Sequence, residues 1–172
     1  MKSRVTPAQT IGPFFHGALC RGGDRGLAEP GSAGALQLRG RVLDGAGAPV
    51  GDALVELWQT DGRESGFARA ATDEAGEYRV VARKLTGAAL ADGRRQAPHI
   101  NVSLFARGLL HRLVTRIYFP EEVAANARDP LLASIADARL RARLIAQPAA
   151  DGVGLRFDFV LQGERETPFL DV

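Results

Sequence analysis

Six short stretches of β-strand character, each closed by a turn signal, constrain the fold of this chain more than any other feature. They are LQLRGRVLD (Leu36 to Asp44), DALVELWQT (Asp52 to Thr60), EYRVVAR (Glu77 to Arg83), HINVSLFARG (His99 to Gly108), RLVTRIYFP (Arg112 to Pro120) and GLRFDFVLQG (Gly154 to Gly163). Successive side chains of a strand point to opposite faces. In the second stretch this puts Leu54, Glu56 and Trp58 on one face and Val55, Leu57 and Gln59 on the other. In the last it sends Leu155, Phe157, Phe159 and Leu161 the same way. The segments GAGAP and DEAGE supply reversals, and the GLLH link makes a hairpin of the fourth and fifth stretches. Short strands separated by turns in this manner predict an all-β fold, a β-sandwich.

One segment breaks the strand pattern. EEVAANARDPLLASIADARLRARLIAQ (Glu121 to Gln147) is rich in Ala, Leu and Arg. Pro130 divides it, because Asp129 can cap a second helix that has Pro130 at its first position. Short helices around 121–146 are therefore expected to cover an edge of the sandwich. Ahead of the strands, TPAQTIGPFFHGAL holds two prolines and no stable period, and RGGDRGLAEPGSAG reads as loop. Residues 1–35 are thus an N-terminal extended arm and loop, and 36–172 the sandwich, within one domain. The arm's apolar Ile11, Phe14, Phe15 and Leu19 need cover, from their own sandwich or from a partner.

Composition narrows the function. The chain has 172 residues, of which 45% are hydrophobic and 24% charged, values ordinary for a soluble globular domain. The net charge is only +2, with arginines scattered and no aromatic residues interleaved, which argues against nucleic acid. No apolar run approaches a membrane span, and MKSRVTPAQT lacks the apolar region of a secretory signal. Cys20 is the single cysteine, so no internal disulfide is expected, and a thiol nucleophile is an unfavoured reading because the sequence shows no evident Asn or Asp to orient one. A cytoplasmic protein is expected.

Chemistry enters at His99-Ile100-Asn101. Side chains two apart on a strand share a face, so a His-x-His here would aim two imidazoles at one metal. This chain offers one imidazole and an amide. The segments TPAQTIGPFF, ALVELWQTD, APHINVSLFARG, TRIYFPEE, ANARDPLL, LIAQ and FVLQGERETPFLDV occur in that order. Together they resemble the alpha subunits of the protocatechuate 3,4-dioxygenases, members of the intradiol ring-cleaving dioxygenase family.

The resemblance implies a β-sandwich of the intradiol dioxygenase type. It also implies an alpha–beta heteromer, of higher oligomeric order, in which the beta subunit holds a non-haem Fe(III) through two Tyr and two His. Ferric iron is a hard cation that favours phenolate oxygen. The first family Tyr belongs in the loop after the WQ strand, here TDGRESGFAR with Phe67 and no Tyr. The second belongs before His-x-His, where KLTGAALADGRRQAP has none. His99 and Asn101 are therefore vestigial metal-site positions, and this chain is expected to bind no metal and to be inactive alone. A site assembled anew from His16, His99, His111, Tyr78 and Tyr118 is disfavoured.

The implied role is non-catalytic: to complete the pocket in which the beta subunit opens protocatechuate, a small aromatic acid, with dioxygen. Carried over by motif, the substrate-pocket and interface positions are Thr10, Gly12, Pro13, Phe14 and Arg107. Gly12 permits close backbone approach, Pro13 fixes direction, Thr10 offers a hydroxyl and Arg107 a permanent planar cation. The bland alternatives are an arm packed on its own sandwich and a structural arginine at a strand end. Glu164, Arg165 and Glu166 form either a surface ion-pair cluster or part of a subunit interface, the latter preferred. The rival functional reading is an aromatic-acid binding module or structural partner without ring-cleavage activity.

Overall fold

The computed structural model describes residues 7–12, 15–20 and 26–171, and of 16 and 17 the backbone only. The elements run α1 (Phe15–Leu19), β1 (Ala35–Leu43), β2 (Leu54–Thr60), β3 (Ser65–Ala71), β4 (Glu77–Arg83), β5 (His99–Phe105) and β6 (Leu113–Tyr118). Then come α2 (Val123–Asn126), α3 (Pro130–Ser134), α4 (Ala138–Ala142), β7 (Gln147–Pro148), β8 (Leu155–Arg156) and β9 (Phe159–Val160). One sheet has the order β4-β1-β8-β7, with β9 also paired to β1; the other has the order β3-β2-β5-β6.

The period-two patterns decide which faces meet. Leu38 and Val42 from β1, Val55 and Leu57 from β2, Ile100, Val102 and Leu104 from β5 and Ile117 from β6 are buried in one cluster between the sheets. Trp58, on the opposite face of β2, is 45% exposed. Such a double layer is what alternating strands produce when each sheet buries one face. The fourth and fifth stretches form the expected hairpin, β5 on β6, with His99 opposite Tyr118 and Asn101 opposite Arg116.

Two expectations need correction. TDGRESGFAR is not a loop: residues 65–71 are β3, paired to β2 from Leu54↔Ala71 to Thr60↔Ser65. Its inward residues are Ala68 and Ala70, too small to announce a core strand by hydrophobicity. The reversal is a tight turn in which the Asp61 carboxylate accepts from the Glu64 and Arg63 amides, each at 2.9 Å. Those bonds and one from Thr86 bring the Asp61 carboxyl down to about 2. GLRFDFVLQG, in turn, is interrupted. It follows β1 in parallel through β8 and β9, and between them the Asp158 side chain accepts from the Arg41 amide at 2.9 Å. The inward set survives the break, with Phe157 and Phe159 buried and their rings 5.0 Å apart.

The helical segment divides at Pro130 as expected. Asp129 caps α3, accepting from the Leu131 and Leu132 amides. Leu132, Leu144, Ala97 and Tyr118 form a second, smaller core beneath these helices. Residues 167–171 lie along β6, with the Leu170 amide bonded to the Val114 carbonyl and the Thr115 hydroxyl to the Pro168 carbonyl. Among the described residues no helix is long and apolar enough to cross a membrane.

Candidate functional site

The sandwich holds two separate groups of interest, at opposite ends of β5. His99 begins that strand and Phe105 ends it, so they stand roughly 20 Å apart at the usual rise per residue.

At the Phe105 end the N-terminal arm meets the FARG turn. The Thr10 hydroxyl oxygen accepts from the Gly108 amide at 2.7 Å, which leaves its own proton to donate elsewhere. Arg107 is exposed, and its Nε donates to the Asp52 carboxylate. α1 follows the arm, and the Phe15 ring packs on Phe105 with centroids 5.6 Å apart. Gly12 is exposed, and a side chain built on it would meet nothing within 4 Å. Among the described residues nothing therefore requires a glycine at that position. Pro13 and Phe14 lie outside the described residues. The structure thus brings Thr10 beside Arg107, and the partner Asp52 was not legible from sequence, since it lies 55 residues away.

At the other end lies the group around His99 and Asn101. His99 is buried, with Nδ1 2.8 Å from the Ala97 carbonyl oxygen. Burial and then the Arg116 charge push its imidazole below the usual histidine range, so it is neutral at neutral pH. The Asn101 amide oxygen does not turn to His99 alone. It accepts from Arg116 Nε at 3.0 Å across the hairpin. With its amide oxygen facing the guanidinium, Gln96 accepts from both terminal nitrogens of Arg116, at 2.9 and 3.0 Å. The Tyr118 hydroxyl donates to Asp129 at 3.0 Å, and burial pushes its pKa up, so it remains a phenol. His111 is exposed in the β5–β6 link and Tyr78 is in the main core, so neither gathers round His99.

These donors do not fit ferric iron. One imidazole, one amide already engaged and one protonated phenol surround a guanidinium whose fixed charge repels a second cation. Arg116 is the residue that sequence reading missed. In RLVTRIYFP it sits at an outward strand position and reads as solvated surface; only the hairpin register places it opposite Asn101. The same register continues outward as a row across four strands, Arg116, Asn101, Trp58 and Phe67.

Glu164, Arg165 and Glu166 are all exposed on this chain.

The two-sheet β-sandwich, with His99-Ile100-Asn101 opening a central strand, defines the class: a sandwich of the intradiol-dioxygenase type. No protein-family model matches the chain. It is 38% identical to protocatechuate 3,4-dioxygenase alpha chains from Burkholderia cepacia, over 98% of each chain, and from Pseudomonas putida, over 96% of each. It is 33% identical to the Burkholderia cepacia beta chain, over 95% of this chain and 78% of that one. Among solved structures, catechol 1,2-dioxygenase from Acinetobacter sp. ADP1 superposes with a TM-score of 0.59 at 17% identity, covering 78% of this chain and 55% of the other. Hydroxyquinol 1,2-dioxygenase from Pseudomonas putida DLL-E4 does so with 0.54 at 20%, covering 92% and 68%. The chain belongs to the protocatechuate 3,4-dioxygenase alpha-chain family. That family implies non-haem iron in the working complex.

Proposed function

We propose that this chain is the non-catalytic alpha subunit of a protocatechuate 3,4-dioxygenase and completes the substrate pocket of an iron-bearing beta subunit. The reaction served is the intradiol cleavage of protocatechuate between its two hydroxyl-bearing carbons. Both atoms of dioxygen enter the product, 3-carboxy-cis,cis-muconate. The observation that carries this reading is the Asn101–Arg116 hydrogen bond: a guanidinium sits beside the position where a metal-binding relative needs an imidazole. With the ligand set lost, the iron falls to the beta subunit, whose relative also matches this sequence.

The local geometry suits a pocket wall. Thr10 is fixed by Gly108 with its hydroxyl proton still available, and Gly12 leaves open space for a neighbouring chain to approach. Arg107 is tethered through Nε to Asp52, which leaves the terminal nitrogens to face an anionic substrate. Trp58 and Phe67, 45% and 42% exposed on one sheet face, supply apolar surface of the kind a partner subunit covers.

Co-expression with the beta paralogue tests the reading by oxygen uptake with protocatechuate. Turnover is expected from the co-purified pair and none from this chain alone. Ring cleavage by the isolated chain, or no co-purification, would overturn it. In the complex, Arg107→Ala is expected to raise KM for protocatechuate about three- to tenfold, the loss of roughly 1 kcal/mol of charge-assisted contact. Assembly, read by size-exclusion chromatography, should be unchanged.

A further inference from the structure

One cavity plays no part in the pocket wall. It has a volume of about 460 Å³ and lies beside the chain entering β5, at the His99 end. Ala97, Pro98 and Ala125 give it an apolar floor, and Arg94, Arg95 and Arg128 line its rim. No Asp or Glu lines it. Arg94 is paired at 2.7 Å with Asp92, which stands outside the cavity. Arg95 spends one terminal nitrogen on the Gly87 carbonyl, at 2.7 Å, and that bond holds its guanidinium against the cavity wall. The Arg128 side chain makes no hydrogen bond or ion pair among the described residues. Behind the lining, Gln96 accepts from the Arg116 guanidinium, and the buried Asp129 carboxylate accepts from the Ala97 amide at 2.8 Å, so the net positive charge of the site rests on the rim arginines.

We propose that this cavity binds a small carboxylate with an apolar body, on this chain alone and without a metal. Planar guanidinium forks match the two oxygens of a carboxylate, and positive charge concentrated in a concave site attracts an anion. The apolar floor selects a body that a bare oxyanion lacks. The volume lies in the range of small-molecule pockets. The site is distinct from the wall formed by Thr10 and Arg107, which lies at the other end of β5, and it does not depend on the subunit reading.

Calorimetric titration of the full-length chain with 4-hydroxybenzoate, and separately with inorganic phosphate, tests it. One equivalent of 4-hydroxybenzoate is expected to bind, at least about tenfold more tightly than phosphate. The affinity should fall as salt rises. Arg95→Ala with Arg128→Ala is expected to weaken binding by about tenfold or more. Both side chains are exposed, and an unchanged circular dichroism spectrum confirms that the variant folds. Absence of binding, or binding indifferent to the two substitutions, overturns the site. Phosphate binding as tightly overturns the assignment to a carboxylate with an apolar body. The measurement uses neither iron nor partner, so its failure is separable from failure of the co-expression assay.

Discussion

Asp129→Ala is expected to destabilise the chain by roughly 3–5 kcal/mol, seen as a fall in Tm of about 10 °C or more. Asp129 is fully buried, and its side chain ties three elements together. Its Oδ2 accepts from the Ala97 amide at 2.8 Å, just before β5. Its Oδ1 accepts from Leu131 and Leu132 at the start of α3, at 2.9 and 3.0 Å, and from the Tyr118 hydroxyl at the end of β6. Alanine would leave these donors without an acceptor in a place water does not reach, and each such group costs about 1–3 kcal/mol. Asparagine is the informative control. Its oxygen can still cap α3 and accept from Tyr118, but its amide nitrogen would face the Ala97 amide donor, so Asp129→Asn should recover only part of the loss. Thermal unfolding followed by circular dichroism measures both. A drop under about 1 kcal/mol for Asp129→Ala would mean that the small core beneath the helices stands without its clasp.

Much of this was legible in the chain itself, and the reasons differ by element. The Asp129-Pro130 step marks a helix start because the cap and the fixed φ of proline are local properties. The alternation in β2 and β5 shows which side chains face the core because a half-buried strand must obey period two. β3 escaped because its inward residues are alanines and its one large apolar residue, Phe67, faces outward. Arg116 escaped for another reason. Its meaning depends on pairing register, and register is set by contacts between residues 15 positions apart. That the residues near His99 make a poor ligand set for ferric iron could be read from Asn101, whereas the guanidinium beside it could not. Likewise Thr10 and Arg107 were each named singly, but the bond from the Gly108 amide that fixes one beside the other belongs to the folded chain.

Gly40→Ala is expected to be nearly as damaging as loss of Asp129, at about 3 kcal/mol or more, because β1 runs flush against a neighbouring backbone there. A Cβ built on Gly40 would lie 1.7 Å from the Phe157 carbonyl oxygen and 3.0 Å from the Tyr78 ring. That carbonyl is no loose end. It accepts from the buried Tyr78 hydroxyl at 2.7 Å, while the Phe157 amide donates to Arg39 at 2.9 Å. Relief would require the 155–160 segment to move away from β1, which would break the Tyr78 bond and lift Phe157 and Phe159 from the core. Tyr78→Phe removes only the hydroxyl and should cost less, about 1–2 kcal/mol. The order of the two losses in urea unfolding decides the matter. If backbone proximity is what Gly40 serves, alanine there must hurt more than phenylalanine at 78; if Tyr78→Phe proves the more harmful, the close approach is a consequence of the tyrosine's bond and not a requirement of the strand.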